Sequence, residues 1–369
     1  MAKRPDTPKH RRIHDHLKDA ILSGRYEPGQ RLPSESALVR QFQASRLTVN
    51  RAFRELQIQG LIDRRVGSGS YVRPHASQGY TFGLLIPELG RTEIFEPICR
   101  GMAEAPLSEH HVLLWGKTLA ESQSDGSHAR DACRQLIAKR VSGVFFAPLE
   151  LTAEKDTINR TIISLLDEVR IPVVLLDRDL VMYPDRSPYD LVGIDNRRAA
   201  HVITTHLLQQ GARRIVFVAR PRSAPTVDAR IAGFRDALHN AGIPWRAELV
   251  QRIDATDRSQ VQHVLAAIAP DAILGANDYT CGQIMNTLED LGTILPDEIR
   301  IAGFDDVKYA SLLPVPLTTI HQPCAEMGRA AMTAMLERLH SPEMPARDIT
   351  LNVQLIVRES TTAHPRRQR

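Results

Sequence analysis

Four short apolar runs in this sequence end in ionisable or amide side chains. "IPVVLL" runs into Asp177-Arg178, "IVFVA" into Arg220, "AILGA" into Asn277-Asp278 and "IRIAGF" into Asp305-Asp306. Carboxylates accept hydrogen bonds, guanidinium groups donate them in a fixed fork, and amides do both. Gathered round one molecule, such groups suit a small, neutral, polyhydroxylated ligand. A lone Asp or Asn after a strand is commonly the cap of the next helix, but four such ends imply a shared purpose. A second set of polar side chains stands near the N-terminus, where Ser45, Arg46, Thr48, Asn50 and Arg51 alternate with apolar anchors and Arg64, Gly67 and Gly69 follow in "LIDRRVGSGSYV". Hydrogen-bonding side chains at the start of a helix, followed by a glycine-rich reversal, are the means of reading base edges and approaching a phosphate backbone.

The elements that must position these residues are legible in the apolar periodicity. Ile13, Leu17 and Ile21 recur at a spacing of four and predict one helix, stopped at Gly24 before a turn at Pro28-Gly29. Ser34 is a natural N-cap for a second helix that buries Ala37, Leu38 and Phe42. After Gln43-Ala44, Ser45 caps a third helix with Val49, Ala52, Phe53 and Leu56 facing inward, which leaves Arg46, Thr48, Asn50 and Arg51 outward. Two short β segments around Gly67 and Gly69 complete a winged helix. Residues 73–79 mix Pro, His, Ser and Gly without period, as a linker does. Beyond Tyr80, apolar runs such as "YTFGLLIP", "HVLLW", "VSGVFFAP", "DLVGID" and "RRIVFVAR" alternate with helical stretches such as 128–140 and 196–210. That alternation predicts parallel sheets covered on both faces, with ligands beyond the carboxyl ends of the strands. The expected fold class is α/β: an N-terminal winged helix-turn-helix domain over 1–73, a linker over 74–80, and a two-lobed, doubly wound parallel-sheet domain over 81–363.

Charge and composition narrow the function. Residues 1–80 hold 15 Lys and Arg against 7 Asp and Glu, a surplus of eight, while the remaining 32 against 36 leave a deficit of four. A basic head on a near-neutral body is the electrostatic footprint of a nucleic-acid-binding module. The N-terminus "MAKRPDTPKHRR" has no apolar core, and no apolar run approaches the ~18 residues a membrane span needs, so the expected compartment is the cytoplasm. Cys99, Cys133, Cys281 and Cys324 are scattered and read as buried thiols. "LLWGKT" ends like a phosphate-binding loop, but His111 stands where its first glycine belongs. His10, His14 and His16, and likewise His201 and His206, lack carboxylates at ligand spacing, so no metal is expected. No G-x-S-x-G or S-x-x-K motif occurs, and four lysines follow residue 80, which disfavours a pyridoxal-phosphate domain. No enzyme activity and no cofactor are expected. The contrasting reading is a sugar-binding or enzymatic protein whose head is only an interaction module; it predicts no operator preference and a weak salt dependence.

"ILSGRYEPGQRLPSESALVRQFQASRLTVNRAFRELQIQGLIDRRVGSGSYV" resembles the winged-helix domain of the GntR family, through "G-x-Y-x-P-G-x-R-L-P-S-E", "S-R-x-T-V" and "G-x-G-x-Y-V". The resemblance implies that Arg46 and Thr48 contact bases and phosphates and that the turn from Gly67 to Gly69 is the wing tip. Ser36 and Asn50 stand where arginines are usual; Asn pairs bidentately with adenine, whereas Arg favours guanine. From about residue 80 to 360, "VSGVFFAPLE", "IPVVLLDRD", "VGIDNRRAAHVITTHLLQQGARRIVFVA", "DARIAGFRDAL", "ANDYTCGQI", "IRIAGFDD" and "PLTTIHQP" resemble the effector domain of LacI/GalR-type repressors and their periplasmic sugar-binding relatives. That resemblance implies that Asp177, Arg230, Asn277 and Asp305 bind sugar hydroxyls, and Arg178 and Gln322, at positions used by ribose-type binders, lean the ligand towards a pentose. Thr92-Glu93-Ile94-Phe95 stands where N-P-F-F is usual, which keeps the aromatic at Phe95 and loses an amide. The combination of head and sensor is similar to arabinose-responsive repressors of the AraR type. It implies a homodimer on a pseudo-palindromic double-stranded operator, with a small sugar as effector and no membrane partner.

Overall fold

The chain, seen in a computed structural model, is described over residues 8–58, 61–65, 67–73, 79–86, 94–105, 111–115 and 127–362. It begins with α1 (Lys9–Leu22), α2 (Glu35–Phe42) and α3 (Arg46–Ile58), followed by β1 (Ile62–Arg65) and β2 (Gly69–Val72). The expected anchors make the core: Ile13, Leu17 and Ile21 of α1 pack with Leu38, Val49, Ala52, Phe53 and Leu56, all essentially without exposure, whereas Ala37 and Phe42 are half-buried. Ser34 caps α2, its hydroxyl accepting from the Ala37 N–H at 3.2 Å. Gln43, with φ 47°, turns the chain from α2 into α3. β1 and β2 pair antiparallel with Ile62 opposite Val72 and Arg65 opposite Gly69. The reversal needs φ of 74° at Gly67 and 122° at Gly69, conformations that a residue with a Cβ resists.

Two six-stranded sheets follow. The first contains β3 (Thr81–Leu85), β4 (Val112–Trp115), β5 (Gly143–Phe146), β6 (Val173–Leu176), β7 (Asp190–Ile194) and β13 (Asp348–Leu351), in the order β13-β7-β6-β5-β3-β4, all parallel. The second contains β8 (Ile215–Ala219), β9 (Val250–Arg252), β10 (Ala272–Gly275), β11 (Arg300–Asp305), β12 (Thr318–His321) and β14 (Gln354–Ile356), in the order β14-β12-β11-β10-β8-β9. Its pairs are parallel except that β14 runs antiparallel along β12. Central strands β5, β6, β8 and β10 are buried at every position, as strands covered on both faces must be. The first sheet lies between α5 (Ser127–Ala138) with α6 (Lys155–Glu168) and α4 (Phe95–Ala103) with α11 (Cys324–His340). The second lies between α9 (Arg258–Ile268) with α10 (Asp278–Asp290) and α7 (Asn196–Gln209) with α8 (Pro225–Asn240).

The chain crosses between the lobes three times, from β7 to α7, from β12 to α11 and from β13 to β14. These crossings bring the carboxyl ends of both sheets to one junction. Helix pairs on either side of it approach through glycine: a Cβ on Gly328 would lie 2.0 Å from the Ile98 carbonyl of α4, and one on Gly233 would lie 1.9 Å from the Arg197 carbonyl of α7. The fold departs from the sequence reading in three respects. Strands β9, β12, β13 and β14 were not read as strands: β9, β13 and β14 are short edges without a closed apolar run, and β12 has only four residues of mixed polarity. The antiparallel β14 makes the second sheet mixed. Cys133, Cys281 and Cys324 are buried thiols, but Cys99 is only partly covered. The tail of "LLWGKT", from residue 116, and Thr92 and Glu93 lie outside the described residues.

Candidate functional site

At the junction of the lobes five charged side chains are gathered, three of them buried and two, Glu150 and Asp305, half-buried. Asp177 and Arg178 leave the end of β6, Glu150 follows β5, Asp305 ends β11, and Arg230 projects from α8. Asp177, Arg178 and Arg230 are each 5% exposed. Arg178 donates from Nε to the Pro148 carbonyl at 2.8 Å and from Nη1 to Glu150 Oε1 at 2.6 Å, with Asp177 Oδ2 at 3.7 Å from the same nitrogen. Its guanidinium carbon lies 5.6 Å from the ring centre of Phe95, the fully buried first residue of α4. Arg230 donates to Asn196 Oδ1 at 2.8 Å and to the Ala276 carbonyl at 2.5 Å, stands over the Phe304 ring at 4.5 Å, and sets Nη2 3.7 Å from Asp305 Oδ1. Gln322, just past β12, donates from Nε2 to that same Asp305 oxygen at 2.7 Å.

Three carboxylates gather about two guanidinium groups at this junction, and their titration reflects burial first and their mutual charges second. Burial pushes Asp305 up to about 7, with Arg230 opposing and Asp177 adding to the rise. Asp177 is likewise raised by burial, against the pull of Arg178 and Arg230. Burial also pushes on Glu150, but the Arg178 charge and the N–H of Ala224 outweigh it and hold that carboxyl below its usual range. Two acceptors in the group, Asp177 Oδ1 and Gln322 Oε1, are buried and receive no hydrogen bond from any described residue. An unpartnered buried acceptor costs ~1–3 kcal/mol, so both suit a ligand that brings O–H donors. The backbone is strained at the same places, with φ of 67° at Asp177 and 112° at Asp305.

Not every strand-end polar group joins this cluster. Arg220 is exposed and lies near Asp254. Asp278 is fully buried and its carboxyl is raised by burial and then by the Asp305 charge, but its hydrogen bonds go elsewhere: it accepts from Thr319 Oγ1 at 2.6 Å and the Val307 N–H at 3.1 Å, which ties down the loop after β11. Asp306 accepts from Arg358 at 2.6 Å and pairs with His321 at 2.9 Å, a link to the C-terminal segment. Asn277 caps α10, its Oδ1 accepting from the Thr280 N–H at 2.9 Å, so capping accounts for half of its amide. Two members were missed in the sequence: Glu150, at the end of the quoted "VSGVFFAPLE", and Asn196, in "VGIDNRRAA", which is buried at the start of α7.

In the N-terminal unit, Ser45 Oγ accepts from the Thr48 N–H at 3.1 Å and lies 2.8 Å from Thr48 Oγ1, which caps α3. Arg46 and Leu47 are exposed on its first turn, Leu47 by 84%. Arg51 is engaged by Glu55 at 3.1 Å. Arg64 is not a free wing cation: its Nη1 donates to Asn50 Oδ1 at 2.7 Å, its Nη2 is bound to Glu35, and its guanidinium faces the Phe53 ring at 5.8 Å. Asn50 is thus engaged in a way the sequence reading did not foresee: Arg64 takes one lone pair of its Oδ1, and the other lone pair and the amide N–H remain. A groove of about 450 Å³ runs between α2, α3 and the wing, lined by Arg31, Ser34, Arg64, Arg65, Gly67 and Gly69 among others. Arg31 and Arg65 were missed; the Arg31 guanidinium crosses the face of Gly69, where a Cβ would meet its Nε at 2.7 Å.

Comparison with known proteins bears on both units. Residues 9–72 match the family model of bacterial regulatory proteins, gntR family, and residues 204–361 match that of the periplasmic binding protein-like domain. An arabinose metabolism transcriptional repressor of Geobacillus stearothermophilus is 27% identical over 368 residues, covering 96% of this chain and 98% of that protein. Its counterpart from Halalkalibacterium halodurans is 25% identical over 372 residues, 96% of each. The fold is shared with a solved LacI family transcriptional regulator from Enterococcus faecium with bound ribose, at a TM-score of 0.62 and 24% identity, covering 76% of this chain and 98% of that one.

The raised Asp305 carboxyl gives a pH test. Its folded form keeps a proton up to about pH 7, whereas the unfolded chain releases it near pH 4. Between those values the folded state binds more protons, so this group's contribution falls as pH rises. The melting temperature of the ligand-free protein, minus that of Asp305→Asn, should therefore decrease from pH 5 to pH 8; a difference that stays flat contradicts the raised carboxyl.

Proposed function

Starting from a chain that joins a gntR-family head to a periplasmic binding protein-like sensor, we propose that it is a sequence-specific DNA-binding repressor whose hold on its operator changes when a small sugar binds between the lobes. It is a transcription regulator and not an enzyme, as are two relatives that match 96% of its length. The observation that carries the ligand class is the pair of buried acceptors, Asp177 Oδ1 and Gln322 Oε1, that receive no hydrogen bond from any described residue. Hydroxyl groups meet that need without adding charge. Arg230, Asp305 and Arg178 then fix the ring from both lobes, Asn277 contributes its remaining amide nitrogen, and Phe95 backs Arg178. A pentose is the favoured class, since those relatives are named for arabinose metabolism.

The head (1–73) reads DNA with Ser45, Arg46, Thr48 and Asn50 at the start of α3, while Arg51, Gly67 and Gly69 approach the backbone. Arg64 acts differently from a plain phosphate contact: it fastens the wing strand to α2 and α3 and so fixes the angle between wing and recognition helix. The linker (74–80) joins the head to the sensor (81–363). Two copies in a cytoplasmic homodimer would set the half-site spacing of a pseudo-palindromic operator.

Two measurements follow. On a selected operator and on random duplex, by fluorescence anisotropy, Arg46→Ala should lose roughly 1–3 kcal/mol of discrimination, whereas Arg64→Ala should weaken both duplexes alike. Equal losses for Arg46→Ala on both duplexes refute base reading. In the same assay, Arg230→Ala should bind operator normally yet fail to release it when L-arabinose, D-ribose or D-xylose is added. Wild-type release by a pentose that persists unchanged in Arg230→Ala removes the cluster as effector site; wild-type binding that tightens with sugar replaces repression by activation or corepression.

A further inference from the structure

Glu150 does more than neutralise Arg178. Its Oε2 accepts from the N–H of Ala224 at 3.0 Å, and Ala224 belongs to the opposite lobe, immediately before Pro225 opens α8. Next to it, the Leu151 N–H donates to the Arg222 carbonyl at 2.9 Å, a second bond across the junction. Leu151 and Arg222 both hold left-handed backbone, with φ of 63° and 60°. Non-glycine residues keep such conformations only where the surroundings over-determine them, and here the two strained residues face each other across the lobes. The carboxylate of Glu150 thus touches two things: Arg178 in the buried cluster, and the amino end of α8, the helix that carries Arg230, whose partial positive charge favours an anion.

We propose that Glu150 is the clasp of the sensor, a positioning residue that ties Arg178 to the closed arrangement of the lobes through Ala224. The coupling of this clasp to ligand rests on the effector reading above; the clasp itself does not. When Arg178 turns to serve a ligand hydroxyl, the same carboxylate feels it, so ligand and closure bias one equilibrium. Without Glu150, Arg178 loses its anchor and the Ala224 N–H its acceptor, and the lobes part more often.

The test is a distance measurement on the full chain without sugar or DNA. Spin labels at Asp131→Cys on α5 and Arg258→Cys on α9, both exposed, report the separation of the lobes in a Cys99→Ser background by double electron–electron resonance. Glu150→Ala should raise the open-to-closed ratio by about tenfold, the effect of one lost charge-assisted hydrogen bond. Glu150→Gln, which keeps an acceptor for Ala224 but not the charge towards Arg178, should fall between. Ala224→Pro removes the donor from the other lobe at a φ of −64°, which proline adopts without strain, and should match Glu150→Ala. It also carries the test should Glu150→Ala fail to fold. Distance distributions of Ala224→Pro or folded Glu150→Ala that superimpose on wild type overturn the clasp and leave the effector reading intact. Loss of operator release for every sugar, with these distances shifted as expected, overturns the effector reading and leaves the clasp.

Discussion

The structure of the sensor depends on how five charges are held at the meeting point of two sheets. Taking an ion out of water costs several kcal/mol even after relaxation, so Glu150, Asp177, Asp305, Arg178 and Arg230 must satisfy one another or be satisfied by something that enters. The protein meets part of this requirement internally. Arg178 is matched by Glu150 and the Pro148 carbonyl, and Arg230 by Asn196 and the Ala276 carbonyl. The remainder falls on Asp177 and Asp305, whose carboxyls are pushed upward. Because each lobe contributes both signs to the same cluster, moving one lobe changes the electrostatics of the other. A ligand that supplies hydroxyl donors at Asp177 and Gln322 relieves the cost only when the lobes are together.

The head obeys a smaller version of the same logic. Arg64 lies on the wing strand, yet its guanidinium is committed to Glu35 of α2 and Asn50 of α3. That arrangement trades one potential DNA contact for a fixed angle between wing and recognition helix. Arg31, Arg46 and Arg65 stay exposed on the same unit, with the exposed Leu47 beside Arg46 on the first turn of α3.

Much of this was legible in the sequence because apolar periodicity and strand-end polarity are local. The winged helix and the eight apolar runs that became β3 to β8, β10 and β11 could be read directly, and so could Asp177, Arg178 and Asp305 as a converging group, whereas Arg230 entered only through the family resemblance. Four features were not legible, for physical reasons. Glu150 acquires its meaning from a backbone N–H 74 residues later, which no spacing encodes. Arg220, Asp278 and Asp306 share the local pattern of Asp177 and Asp305 but leave the backbone in other directions, towards solvent, the Thr319 hydroxyl and Arg358. Asn50 looked free for a base because its partner, Arg64, is 14 residues away on a different element. The edge strands β9, β13 and β14 are too short and too exposed to stand out from loops.

The central claim is that sugar and operator bias one conformational equilibrium through this cluster, and linkage makes the claim reciprocal. Titrating the inducing pentose by calorimetry into the free protein and into the protein saturated with operator duplex tests it directly. The account predicts that operator weakens sugar binding by the same factor as sugar weakens operator binding. Equal sugar affinities in the two titrations, alongside a sugar-dependent loss of DNA binding, would contradict it.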